Sequence, residues 1–285
     1  MLTRRWRALA ATVLTAVALA LVPATGGLGA ERAAFDPGDI ISDDSFFNPD
    51  AMTASGIQSF LEARSCTPEG GVPCLADYRV DVPRIPASAE RCSALAPAKR
   101  QRASSVIARI AEACTISPRV LLVLLQKEQS LLTAPSPAGY QKATGYACPD
   151  TAECDKRYFG FVNQVYRAAW QFREYTVHPG DWRYRIGKND IQFHPDASCG
   201  SSAVRIVNQA TANLYNYTPY QPNDETLAAP SGPAGDCSTY GNLNFSRLYT
   251  TWFGDPLADR YAGFVLPCLS YAGGFGCEPT PGLRG

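Results

Sequence analysis

Ten cysteines fall along this 285-residue chain as five close pairs, and that spacing constrains the fold more than any other feature. Thiols in such number are crosslinked, bound to metal, or kept reduced in a cytosol. No two cysteines have Cys-x-x-Cys spacing and the only histidines are His178 and His194, so a disulfide framework without a metal or other cofactor is expected. Local pairing would join Cys66 to Cys74, Cys92 to Cys114, Cys148 to Cys154, Cys199 to Cys237 and Cys268 to Cys277. Spacing alone leaves the connectivity open.

Disulfides need an oxidising compartment, and the N-terminus offers a route to one. Arg4, Arg5 and Arg7 precede an unbroken apolar or small-residue run over 8–22, followed by Pro23 and by small residues suited to cleavage after Ala24 or Ala30. The run is shorter than the roughly 20 apolar residues that cross a bilayer. A signal peptide over 1–30 and a secreted or cell-wall protein with no membrane span in its mature form are expected; an uncleaved anchor is the alternative. Removing the signal leaves 23 basic residues against 26 acidic ones, with no basic stripe, so a nucleic-acid partner is not expected. At 46% hydrophobic residues the chain is too apolar to be disordered. The remaining stretch, about 250 residues, suffices for one large domain, expected to act as a monomer.

Periodicity divides the chain. Residues 31–97 read as an N-terminal arm, with a short helical pattern through Ile57, Phe60 and Leu61, followed by cystine-bearing loops with Pro73, Pro83 and Pro86. A helix is predicted over 97–114, where Ala103, Val106, Ile107, Ile110, Ala111 and Cys114 share a face. Ser117 as N-cap and Pro118 at the first helical position open a second helix, to about Leu132. A third is predicted over 161–175 and a fourth over 202–215, the latter burying Ala203, Val207, Ala210 and Leu214. A fifth, over 243–253, uses Phe245, Leu248, Tyr249 and Trp252. Between the third and fourth, segments 182–186 and 191–194 flank Gly187-Lys188-Asn189-Asp190 as a small β-hairpin. The expected fold is mostly α (α+β): a helical domain over 98–255 with one small hairpin, stapled by disulfides, and a Gly/Pro-rich cystine tail over 256–285.

Glu128 is the residue most suggestive of chemistry. The second helix is apolar at every position over 120–125, and Arg119, Gln126, Lys127 and Ser130 form a separate polar stripe. Glu128 lies off that stripe, among Leu124, Leu125, Leu131 and Leu132. An apolar surround favours the neutral carboxylic acid, the form a general acid needs. The plainer alternative is a glutamate paired with arginine or standing in water at a helix end.

Ser117-Pro118, the apolar run over 120–125 and Glu128-Gln129-Ser130 resemble the helix of lysozyme-like peptidoglycan enzymes, especially soluble lytic transglycosylases and bacterial glucosaminidases, in which a buried helix ends in the catalytic glutamate. Two later stretches fall in the order those enzymes have. Tyr158-Phe159-Gly160-Phe161-Val162-Asn163-Gln164-Val165 is similar to their Gly-x-x-Gln substrate strip with one residue inserted, and Ala212-Asn213-Leu214-Tyr215-Asn216-Tyr217 to their Ala-x-Tyr-Asn helix. The resemblance spans 98–254. This chain departs from the pattern at Gln129, inserted in the usual Glu-Ser pair, and at Tyr217-Thr218, where a glycine follows the Tyr-Asn pair. The whole chain, with Phe46-Phe47-Asn48-Pro49, Ala147-Cys148-Pro149-Asp150 and the stretch 217–223, also resembles secreted actinobacterial proteins known as hypothetical or haemagglutinin-like; that name implies an adhesin.

The lysozyme-like resemblance implies that Glu128 protonates a glycosidic oxygen in peptidoglycan or another amino-sugar polymer. It implies that Tyr215 and Asn216 orient the sugar or the glutamate, and that Gln164, Tyr158 and Tyr217 contact substrate. Asp150, Glu153, Asp155, Glu174 and Asp181 are the candidates for a second, basic carboxylate. Tyr158, Tyr166, Trp182, Tyr184, Tyr217 and Tyr220 are candidates to stack on sugar, with core packing the favoured reading for Tyr166. His178 and His194, each directly before a proline, read as loop residues. Three functions stay open: a glycan-cleaving enzyme, a non-catalytic wall-binding module, and an adhesin on the same fold.

Overall fold

The run Val120–Leu125 is buried without exception, and the remainder of the fold is arranged around it. The structure is a computed structural model that describes residues 35–149, 152–229 and 235–259; the expected signal peptide, the pair Cys268 and Cys277, and nearly all of the 256–285 tail lie outside the described residues. Nine α-helices are described: α1 (Asp43–Phe46), α2 (Ala54–Glu62), α3 (Ala103–Cys114), α4 (Pro118–Gln129), α5 (Pro137–Gln141), α6 (Phe161–Val177), α7 (Gln209–Tyr217), α8 (Asp224–Ala228) and α9 (Gly241–Phe253). Four strands, β1 (Arg79–Val82), β2 (Ala98–Arg102), β3 (Gly187–Gln192) and β4 (Ser201–Ile206), form two antiparallel pairs. The mostly helical α+β class is therefore as the sequence implies. Among the described residues, no helix is long and apolar enough to cross a membrane.

Helix α4 starts where the capping signals place it: Pro118 occupies its first turn and the Ser117 hydroxyl accepts from the Arg119 N–H at 3.3 Å. It ends three residues earlier than the apolar pattern suggests, because Ser130 turns left-handed at φ 51°. That turn folds Leu131 and Leu132 back into the core and leaves Glu128, in the last helical turn, partly exposed. Around α4 pack α3 and α9; α3 also meets α2 and α6, and α6 meets α7. The N-terminal arm belongs to the same core. Phe46 meets Phe172 of α6 edge-on at 5.1 Å, Phe60 meets Trp252 of α9 at 5.5 Å, and the Asp43 carboxylate accepts from the Ala210 N–H at the start of α7.

Two elements differ from expectation. The predicted first helix loses its first turn: Ala98–Arg102 is strand β2, paired with β1 through Arg79↔Arg102, Val80↔Gln101 and Val82↔Ala98. The Asp81 carboxylate explains this, accepting from the Arg100 N–H and from Lys99 Nζ, both at 2.8 Å, so the backbone donor is taken before a helix can use it. The second hairpin is displaced. Gly187-Lys188-Asn189-Asp190, read as a turn, is strand β3, and its partner β4 occupies the first half of the predicted fourth helix, with Gly187↔Ile206 and Gln192↔Ser201 as the end pairs. In 203–214 a period of 3.6 and a period of 2 coexist, and the second prevails: Val204 and Ile206 point inward while Val207 is exposed. Asn208 then caps α7 through Thr211 N–H and starts the helix late.

Four disulfides close in the sequential pattern: Cys66–Cys74, Cys92–Cys114, Cys148–Cys154 and Cys199–Cys237. The second ties the loops before β2 to the end of α3, and the fourth ties the β3–β4 connection to the approach to α9.

Candidate active site

Glu128 opens into a groove of about 600 Å³ between the end of α4, the loop 142–149, the strip 216–220 after α7, and the start of α9. Its side chain is 23% exposed. The surround is more polar than its leucine neighbours suggest, because Lys127, whose side chain is only 8% exposed, forms a close ion pair with the carboxylate. The same ammonium donates to the Thr218 hydroxyl at 3.0 Å, so Lys127 ties Glu128 to the strip after α7. A cation in the last turn also suits the negative end of α4.

On the other side of the carboxylate runs Gly145, at φ 69°. A Cβ there would lie 3.0 Å from Glu128 Oε2 and 3.4 Å from its Cδ, so a side chain at 145 would crowd the carboxylate and push it by a few tenths of an ångström. Gln164, from the first turn of α6, holds this loop. Its Oε1 accepts from the Thr144 and Tyr146 N–H groups at 3.2 and 3.1 Å and its Nε2 donates to the Tyr146 and Tyr158 carbonyls. Gln164 is fully buried with its amide satisfied, so it shapes the groove through the loop and does not line it.

The Tyr-Asn stretch reaches the site differently from what the resemblance implies. Tyr215 points to the far side of α7, fully buried near Tyr184 with ring centroids 5.8 Å apart, and desolvation holds its hydroxyl protonated far above the ordinary range. Asn216 borders the groove while its amide brackets the Tyr184 backbone, accepting from N–H at 3.0 Å and donating to C=O at 2.8 Å. Tyr217 lies on the floor. Its ring packs on Phe172, its hydroxyl donates to the Thr144 carbonyl at 2.8 Å, and burial first, then the nearby Glu128 charge, push its pKa well up. Tyr217 and Thr218, which stand where the enzyme pattern has a glycine after its Tyr-Asn pair, are thus in the Glu128 neighbourhood. Asn242 holds the strip in place by donating to the Thr218 and Tyr220 carbonyls, and Gly241 lets α9 approach: a Cβ there would meet Thr218 Cγ2 at 2.3 Å.

Tyr220 also lines the groove, whereas Tyr158 stands outside it, edge-on to Tyr146 and flanked by Arg157 and Arg167. Tyr166 and Tyr184 are core residues, and Trp182 packs edge-on against Tyr175. A second cavity of about 400 Å³ lies beyond Tyr217, lined by Tyr146, Gln171, Tyr175 and the backbone of 145–149. Of the candidate bases, Glu153 and Asp181 are exposed, Asp155 pairs with Arg157, and Glu174 is held by Arg91 with His178 at 3.4 Å; none of these lines the groove. Asp150 lies outside the described residues. His194 Nδ1 accepts from the Asp196 N–H at 3.1 Å, a local loop bond. Sequence reasoning misses Lys127 and Gly145 as parts of the site. Periodicity assigns Lys127 to the polar stripe, yet its position next to Glu128 is a usable signal, as is a glycine three residues before Cys148.

The model of the LasA N-terminal domain matches residues 39–264, which include every part of this groove. The chain belongs to that family. No curated protein and no solved structure matches it. In this LasA N-terminal domain the matched region begins in the arm at Asp39, so the arm that anchors α7 is part of the family unit and not an appendage to it.

Proposed function

We propose that this chain is a secreted enzyme that cleaves the glycan strand of peptidoglycan or a related amino-sugar polymer, with Glu128 as general acid on a lysozyme-like helical domain. The observation that carries this reading is the placement of Glu128: it stands at the open end of a buried helix and is the one carboxylate, among the described residues, that lines this groove. Membership in a family related to a staphylolytic peptidase supports the cell wall as the place of action. We read 1–30 as the export signal, 31–97 as the arm that completes the core, and 98–255 as the unit that carries the groove.

In this reading Glu128 gives its proton to the glycosidic oxygen while the bond from the anomeric carbon breaks through an oxocarbenium-like state. Lys127 donates to the Glu128 carboxylate, and acid catalysis needs a proton on that carboxyl. Tyr217, kept protonated, fixes the floor, and Gly145 gives the sugar access to a carboxylate that a side chain would displace. The reaction closes in one of two ways. A hydroxyl or acetamido oxygen of the substrate attacks the anomeric carbon, or a second carboxylate activates water.

A wall-binding module without catalysis is the second reading, and the ion pair that engages Glu128 is the observation in its favour. Clearance of a purified peptidoglycan suspension by the oxidised mature protein, run beside Glu128→Gln with the product ends identified, tests both. Clearance lost in the variant supports the acid; clearance retained by it contradicts Glu128. Co-sedimentation of both proteins without clearance selects the binding module.

A further inference from the structure

Gln164, Gln171 and Tyr175 are spaced by seven and four residues on α6 and so share a face of that helix. Gln164 secures the loop at 144–146, while Gln171 and Tyr175 wall the cavity of about 400 Å³ beyond Tyr217. That cavity adjoins the Glu128 groove, since Gly145, Cys148, Pro149 and Tyr217 border both. Among the described residues no charged side chain lines it. The Tyr175 and Tyr217 hydroxyls donate to the Asn216 and Thr144 carbonyls, at 3.0 and 2.8 Å, so both phenols have spent their protons on the backbone. Gln171 is the exception. It is 9% exposed, and its Nε2 is buried with no hydrogen-bond partner among the described residues, although the Tyr175 hydroxyl lies near the amide. A buried amide donor left unpaired costs about 1–3 kcal/mol, and a ligand oxygen in the cavity would remove that cost.

We infer that this cavity is a second saccharide subsite, which receives the acetamido group of the sugar next to the one at Glu128, with Gln171 as the specificity-determining residue. The inference rests on the glycan reading above and deepens it by naming N-acetylated sugars as the substrate class, in preference to sugars with a hydroxyl at the same carbon. An acetamido group is neutral and planar, and it presents one carbonyl oxygen beside a methyl. The rings of Tyr146, Tyr175 and Tyr217 suit the methyl and the sugar face, and the lone amide donor suits the oxygen. A wall without charge disfavours a carboxylate or an ammonium there, because nothing would offset its desolvation. The terminal amide of a glutamine turns about a broad, soft torsion, so Nε2 reaches the cavity without movement of α6.

The test compares the affinity of the oxidised mature protein for a chitin oligomer and a cellulose oligomer of equal length, two neutral strands that differ in carrying an acetamido group or a hydroxyl at one carbon of each sugar. The protein is expected to prefer the chitin oligomer by about tenfold, the worth of one hydrogen bond to a donor otherwise left unpaired. That ratio falls toward one in Gln171→Met and in Gln171→Leu, which remove the donor and keep the bulk. Thermal melts run on both variants should give a Tm no lower than that of the wild type, because the amide lost has no partner in the free protein. Equal affinity of the wild type for the two oligomers, or a preference that either folded variant keeps, overturns the inference. So does a lower Tm in both variants, which would give Gln171 a structural role. In each of these cases the Glu128 reading stands if peptidoglycan clearance is still lost in Glu128→Gln. Failure to bind either oligomer overturns the inference, and the absence of clearance as well overturns both.

Discussion

Gly145 shows how little space the candidate acid has. Its φ of 69° and the 3.0 Å that would separate an added Cβ from Glu128 Oε2 predict that Gly145→Ala displaces the carboxylate, lowering glycan cleavage by at least about tenfold while far-ultraviolet circular dichroism stays native. Unchanged cleavage would separate the loop from the chemistry. Arg173 is a residue of the opposite kind. It is 2% exposed, its Nε and Nη1 have no partner, and burial pushes its pKa down to about 10, so its charge is a burden in the folded state. Arg173→Met is expected to raise Tm by about 3 °C or more, since apolar replacement of a poorly paired buried charge gains about 1–4 kcal/mol. A lower Tm in thermal melts would mean that the guanidinium holds the fold. At this scale the sequence points to Glu128 through an unbroken apolar helix. It does not show Lys127 turning back onto that glutamate, because neighbours in a helix diverge by about 100° and the Thr218 hydroxyl that also holds the ammonium is distant in sequence.

Elements with strong local signals appear where their residues place them. Ser117-Pro118 opens α4, and the stripe through Val106, Ile107 and Ile110 gives α3 its buried face. The strands are harder to read, since β2 exists through Asp81, nearly twenty residues upstream, and β4 through pairing with a segment whose glycine imitates a turn. Gln164 carries the same lesson from helix to loop: its place after Gly160 suggests a substrate contact, yet its amide is spent on the backbone of 144–146 and 158. Gln164→Leu should leave at least two buried N–H groups without acceptors, lower stability by about 3 kcal/mol in urea titration, and reduce cleavage through KM and kcat together. Full stability with lost binding would restore Gln164 as a direct contact.

Across the whole molecule, buried tyrosines set the alkaline limit. Desolvation raises the hydroxyl pKa of Tyr140, Tyr175, Tyr215 and Tyr217 in the folded protein. The unfolded chain releases these protons near pH 10 and the folded one does not, so their stabilising contribution is complete below pH 10 and is lost as pH rises above it. Spectroscopic titration should show these phenols ionising only together with cooperative unfolding; independent, non-cooperative ionisation near pH 10 would contradict their burial. The disulfide frame is visible in the spacing of the cysteines, and the groove is not, because it forms where four segments distant in sequence meet. The measurement that tests the central claim most directly is the turnover of a defined, soluble peptidoglycan oligosaccharide by the oxidised protein and by Glu128→Gln, with binding measured alongside. The account predicts turnover by the wild type and a loss of about 10²–10⁴-fold in the variant with binding retained. Equal turnover by both proteins, or binding by both with no turnover by either, would contradict it.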